Sequence, residues 1–250
     1  MEKGGLGFMI IVAGMNVETP PFQLSSKQAE IFHFLKNSSE VYRYVHSREL
    51  LFELMLREKM INSANVMNES EVEFSIFQTS KFNPEYWLKT SRGYMLKPNV
   101  LPSDAIKDIF HNGTEYGFEC STAIVVIFYY AVLQSIDVRV FNRLFNHLLV
   151  WDWSYDEDLG IITKVGSDFI PGDVMYFYNP DYDNPVWIGE NVVFLGEDKY
   201  FGHGIGIGTA EETIKALNTL RKEGATRSAH LIHQHSRLNY KYLSQFSKQI

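Results

Sequence analysis

The stretch Gly117-Phe118-Glu119-Cys120-Ser121-Thr122-Ala123-Ile124-Val125-Val126-Ile127-Phe128-Tyr129-Tyr130-Ala131-Val132-Leu133 decides how the chain is read. From Ala123 to Leu133 it holds eleven consecutive apolar or aromatic residues, too few for the roughly 18 or more of a membrane span. A helix with no polar face must be covered on all sides, so Ser121–Leu133 is expected to be the central buried helix. Cys120 then sits at its start, where unpaired N–H groups and the positive end of the helix dipole favour a thiolate.

Outward from this helix, the N-terminal side reads as helical. Ser25 with Gln28 forms a capping box ahead of Ile31, Phe32 and Leu35, and Leu50, Leu51, Leu54, Met55 and Ile61 recur at helical spacing over 48–64. Val72, Phe74 and Ile76 alternate, and Tyr86-Trp87-Leu88 and Tyr94-Met95-Leu96 flank Ser91-Arg92-Gly93 as a hairpin. Pro102-Ser103-Asp104 opens a short helix that Asn112-Gly113 stops. On the C-terminal side an amphipathic helix is expected over 138–148. Strands follow at 149–153, 161–162, 174–178, 191–195, 200–207 and 229–233. One helix interrupts them, with Thr209 and Glu212 as capping box and Gly224 as stop. Helices first and strands afterwards describe an α+β fold with an antiparallel sheet. No repeat or linker divides 1–250, so one domain is expected. Met9 is as good a start as Met1, which leaves residues 1–9 as a disordered or non-native extension.

Thirty acidic and 23 basic residues give a net charge of −7 without a basic cluster, which argues against a nucleic-acid partner. The one cysteine excludes an intramolecular disulfide and any multi-cysteine metal site. No secretory signal is evident, so an intracellular protein without a membrane partner is expected. The alternating Gly202, Gly204, Gly206 and Gly208 lack the spacing and β-α-β setting of a dinucleotide loop. His230, His233 and His235 have no supporting cysteine or carboxylate, and His230 and His233 fall on opposite faces of a strand, so neither metal nor cofactor is expected.

A lone cysteine is more often a small buried hydrophobe than a nucleophile. Its candidate partners lie in the run from Trp187 to Gly204, read as two strands about a turn at Glu197 and Asp198. That register makes Glu190 and His203 diagonal neighbours on one face, within reach of each other. A thiol, an imidazole and a carboxylate form a set suited to nucleophilic catalysis, and Cys120 and His203 are expected within hydrogen-bond reach.

These residues carry a resemblance. Glu119-Cys120-Ser121, Ile170-Pro171-Gly172-Asp173-Val174, the strand from Glu190 to Leu195 and Gly202-His203-Gly204 resemble the motif series of papain-like NlpC/P60 cysteine peptidases and amidases. Over 10–238 the chain is more specifically similar to the protein-glutamine gamma-glutamyltransferase family of the spore coat in bacilli. Those hydrolases have their catalytic histidine where this chain has Glu190, and the spore family shares the exchange. Whether Glu190 or His203 takes the thiol proton stays open, and Glu119 is a further candidate.

The resemblance implies a papain-like antiparallel sheet against a central helix, with additional N-terminal helices. It implies calcium-independent formation of ε-(γ-glutamyl)lysine cross-links through a Cys120 thioester. Trp187, Tyr200 and Phe201 are the residues expected to cover the site and bind substrate. The implied partners are spore coat proteins presenting Gln and Lys, met by a monomer in the cytoplasm of the sporulating cell and then in the coat. A peptidase or amidase of the same fold and a non-catalytic coat component are the alternatives.

Overall fold

The structure is a computed structural model and describes residues 10–248. The expected extension at 1–9 lies outside the described residues. Seven helices are present among them: α1 (Ser26–Lys36), α2 (Ser47–Glu69), α3 (Pro102–His111), α4 (Cys120–Ser135), α5 (Val138–Leu144), α6 (Ala210–Asn218) and α7 (Tyr240–Ser244). Strands β1 (Ile10–Val12), β2 (Met15–Asn16) and β3 (Tyr42–Tyr44) form one small sheet. Strands β4 (Glu73–Phe74), β5 (Trp87–Thr90), β6 (Gly93–Leu96), β7 (Gly117–Phe118) and β8 (Leu149–Val150) form two more, β4 with β7 and β5-β6-β8.

The main sheet holds β9 (Ile162–Val165), β10 (Val174–Tyr178), β11 (Gly189–Gly196), β12 (Lys199–Gly202), β13 (Gly206–Gly208) and β14 (His230–Arg237). Its order is β13-β12-β11-β10-β14-β9, antiparallel throughout, so the expected α+β class holds. Helix α4 packs on α2 and on β11, and Ile124 to Tyr129 of α4 have no exposed surface. Each such side chain contributes about 1.5–3 kcal/mol by leaving water.

Both expected capping boxes form, Ser25 with Gln28 at α1 and Thr209 with Glu212 at α6. Helix α2 runs five residues past its expected end at Ala64, because Met67 is buried and extends its inner face. Helix α5 ends at Leu144 rather than Leu148, and only Leu149 and Val150 of the expected strand over 149–153 pair with β6. Asp152 lies in a turn at φ +53°.

The expected strand over 200–207 is broken. The chain reverses at 203–205, and β12 and β13 pair as a hairpin. Gly206 takes φ +83° there, a left-handed conformation that glycine adopts without strain.

A buried charge cluster ties sheet to helices. Arg57 of α2 donates to Glu53 at 2.9 Å and to Asp173 at 2.8 Å, and Arg237 of β14 donates to the other Asp173 oxygen at 2.6 Å. Arg57 also donates to the Pro171 carbonyl, which fixes the Pro171-Gly172-Asp173 turn ahead of β10. Gly172 has φ +89°, and a Cβ there would lie 3.1 Å from the Arg57 Cα, so the turn sits directly on the α2 backbone.

Candidate active site

Cys120 is the first residue of α4. Glu119 is the N-cap: its carboxylate accepts from the Thr122 N–H at 2.9 Å, the Ser121 hydroxyl at 3.1 Å, the Asp152 N–H at 3.1 Å and the Thr122 hydroxyl. With those partners Glu119 anchors the turn at 151–154 to the helix start. Among the described residues the N–H groups of Cys120 and Ser121 have no acceptor.

The partners of the thiol come from β11. Asn191 Nδ2 donates to Cys120 Sγ at 3.6 Å, and its backbone N–H also favours the thiolate. Glu190, fully buried, is close enough to act on the thiol's titration. The helix start was expected to lower the thiol pKa. Burial outweighs it, and together with the Glu190 charge holds the thiol well above its usual range.

Burial likewise pushes Glu190 up to about 8, opposed by the Gly204 N–H and the Cys120 thiol and slightly reinforced by Glu119. Glu190 Oε1 accepts from the Gly204 N–H at 3.1 Å, while Oε2 has no hydrogen-bond partner. A Cβ on Gly202 would lie 2.8 Å from the Glu190 Cγ, and one on Gly204 would lie 3.2 Å from Oε2. The missing side chains of these glycines therefore make room for the Glu190 carboxyl.

His203 is placed differently from expectation. Gly196 pairs with Lys199 but Phe194 with Tyr200 and Val192 with Gly202, so a bulge shifts the register by one residue and removes the expected diagonal pairing. His203 stands in the turn after β12, its ring 5.3 Å from Phe118 and 6.1 Å from Phe74. Its Nε2 is buried and, among the described residues, without a partner, and no hydrogen bond joins it to Cys120. Burial lowers its pKa to about 4, against the pull of the Glu73 and Phe118 carbonyls, so the ring is neutral at pH 7.

A cavity of about 820 Å³ opens beside the thiol. Cys120, Asn191 and Tyr176 contribute to its lining. Further wall comes from the loop with Trp151, Asp152, Trp153 and Tyr155, and from Ile161, Thr163, Gln234 and Ser236 of the sheet edge. Of the expected covering aromatics, Trp187 stacks on Phe74 at 4.9 Å and presses on Gly204, shielding the Glu190 side of the site. Tyr200 and Phe201 do not line the cavity. β12 lies inside the sheet, so Tyr200 packs against Phe194 and Phe177 while Phe201 is 1% exposed in the main core.

Asn191, Tyr176 and the 151–155 loop escaped the sequence reading. Adjacency to Glu190 was the only signal for Asn191. Among the described residues no three histidine, cysteine or acidic side chains gather to hold a metal ion. No helix there is long and apolar enough to cross a membrane.

Residues 9–247 match the family model described as protein-glutamine gamma-glutamyltransferase. A protein of that name from Bacillus pumilus (strain SAFR-032) is 45% identical over 243 residues, covering 95% of this chain and 98% of the relative. One from Bacillus cereus (strain G9842) is 42% identical over 246 residues, covering 97% and 88%. A solved transglutaminase from Geobacillus stearothermophilus, without its C-terminal extension, superposes with a TM-score of 0.78 at 51% identity, covering 81% of this chain and 99% of that one.

Proposed function

The chain belongs to the protein-glutamine gamma-glutamyltransferase family, and from that premise we propose that Cys120 and Glu190 are its reacting pair. The family reaction is acyl transfer from a glutamine side chain to an amine, which requires protein substrates presenting Gln and Lys. The observation that carries the assignment is a buried carboxyl beside the thiol that has, among the described residues, no cationic partner and an unpaired Oε2.

Glu190 takes the thiol proton as sulfur bonds to the carboxamide carbon. The free N–H groups of Cys120 and Ser121, with the Asn191 amide, face the developing oxyanion. The protonated Glu190 returns its proton to the leaving nitrogen, and the tetrahedral intermediate collapses with loss of ammonia to the Cys120 thioester. A lysine amine then attacks, gives its proton to Glu190, and the collapsing intermediate returns it to the sulfur. A carboxyl with a pKa near 8 is a far better base than an ordinary one. Burial, with Trp187 closing over Gly204 on that side, keeps it so, and Glu119 acts by capping α4.

The thiol at the start of a buried helix, against an antiparallel sheet, supports a papain-like arrangement acting as one domain. The relatives come from bacilli, in keeping with spore coat proteins as substrates, met in the sporulating cell and then in the coat. Catalysis by a calcium-independent monomer completes the proposal. The test is incorporation of a fluorescent primary amine into coat proteins, with and without chelator, by the native chain and by Cys120→Ala. Labelling that survives chelator and vanishes in the variant is expected. Ammonia release without labelling would move the assignment to a hydrolase, and labelling by the variant would remove Cys120 as nucleophile.

A further inference from the structure

Among the described residues the main sheet ends at β9, which is bonded on one side only, to β14. All four of its residues are exposed, Val165 by 86%. The Gly166 N–H donates to the His233 carbonyl at 2.9 Å. In an antiparallel ladder this phase makes Lys164 and Ile162 the residues bonded to β14, across from His235 and Arg237. The N–H and C=O groups of Thr163 and Val165 therefore point away from the sheet. An unpaired edge of this kind is a template for another strand.

The edge is continuous with the cavity beside Cys120, because Thr163 of β9 and Ile161 just before it line that cavity together with Gln234 and Ser236. These four residues carry no charge, whereas Asp152 contributes an acidic group to the same cavity. A neutral carboxamide suits the uncharged wall and a lysine ammonium suits the acidic group.

We propose that a protein substrate adds the segment flanking its reactive glutamine to β9 as an extra strand, its backbone bonded to Thr163 and Val165, from where the chain continues along the cavity to bring the glutamine to Cys120. The inference rests on the transglutaminase reading. Backbone pairing holds a segment of almost any sequence, as a cross-linking enzyme with several protein substrates requires, and leaves the glutamine beyond the paired segment to reach the thiol through the cavity.

Val165→Pro removes an outward N–H and leaves the bonds of Ile162, Lys164 and Gly166 to β14 in place. The expected result is a fall of about tenfold in kcat/KM on a glutamine-bearing protein. On a blocked Gln-Gly dipeptide, too short to pair as a strand, the change stays within about twofold. With the unaltered enzyme, methylation of one backbone nitrogen at a time along a glutamine peptide should weaken turnover at every second position. Equal losses on protein and dipeptide, no loss on either, or a scan without that alternation would overturn the docking mode. Failure of the unaltered chain to join amine to any glutamine would overturn the transglutaminase reading itself, and this inference with it.

Discussion

Among the described residues two acidic side chains are completely buried, and they behave in opposite ways. Asp173 lies between the guanidinium groups of Arg57 and Arg237, which, with the Ile170 N–H, overcome the burial penalty and hold its carboxyl below the usual range. Among the described residues Glu190 has no cation beside it, only the Gly204 N–H and the thiol, and burial leaves its pKa near 8. Asp173 is thus a permanent anion that joins α2, β10 and β14. Glu190 can exchange a proton near neutrality. Burial gives both groups their leverage, and the neighbours decide whether it serves structure or chemistry.

The largest expected effect is on the reactive member. Glu190→Gln keeps the shape and removes the proton exchange, so kcat/KM for amine incorporation should fall by about 10²–10⁴. Stability should move the other way. Between pH 4.5 and about 8 the native Glu190 keeps a proton that the unfolded chain releases, so the native carboxyl costs stability as pH rises through that window. Glu190→Gln should therefore melt higher than the unaltered chain at pH 8, with little difference at pH 4, as read by calorimetry. A melting point lowered at pH 8 would show that Glu190 is structural and would dissolve the contrast.

Asp173→Ala should do the reverse. Two buried guanidinium groups lose their common partner, at a cost of about 3–5 kcal/mol. For a chain of this size the melting midpoint falls by about 10 °C. Because Asp173 belongs to the frame, amine incorporation per folded molecule well below that midpoint should change little. Glu119→Ala should give the smallest effect, about 1–2 kcal/mol from loss of an N-cap and of the link to Asp152. If activity falls more than this destabilisation explains, Glu119 shares in the chemistry.

The sequence announced the reactive region better than the frame. Cys120 at a helix start followed from the apolar run, and Glu190 from the motif that resembles a peptidase with its histidine replaced. Both capping boxes and the hairpin over 87–96 were local signals and were readable for that reason. Arg57 and Asp173 lie 116 residues apart in sequence, so nothing local announces their ion pair. His203 was misplaced because alternating glycines read as one strand, whereas Gly206 turns the chain and a bulge at 194–196 shifts the register. Glu119 was a candidate as the acidic neighbour of the nucleophile, and its N-cap role was not legible because glutamate is not among the favoured N-cap residues. Tyr200 and Phe201 passed for substrate contacts because nothing local shows that β12 is an interior strand.

The central claim is that the Cys120 proton goes to Glu190 and not to His203. The most direct test is the pH dependence of kcat/KM for amine incorporation by the unaltered chain, Glu190→Gln and His203→Gln. Since the base must be ionised, the rate should rise with pH through an inflection near 8 in the unaltered chain. The inflection should persist in His203→Gln and disappear in Glu190→Gln. Its loss in the histidine variant, with retention in the glutamine variant of residue 190, would contradict the account and return the proton to the imidazole.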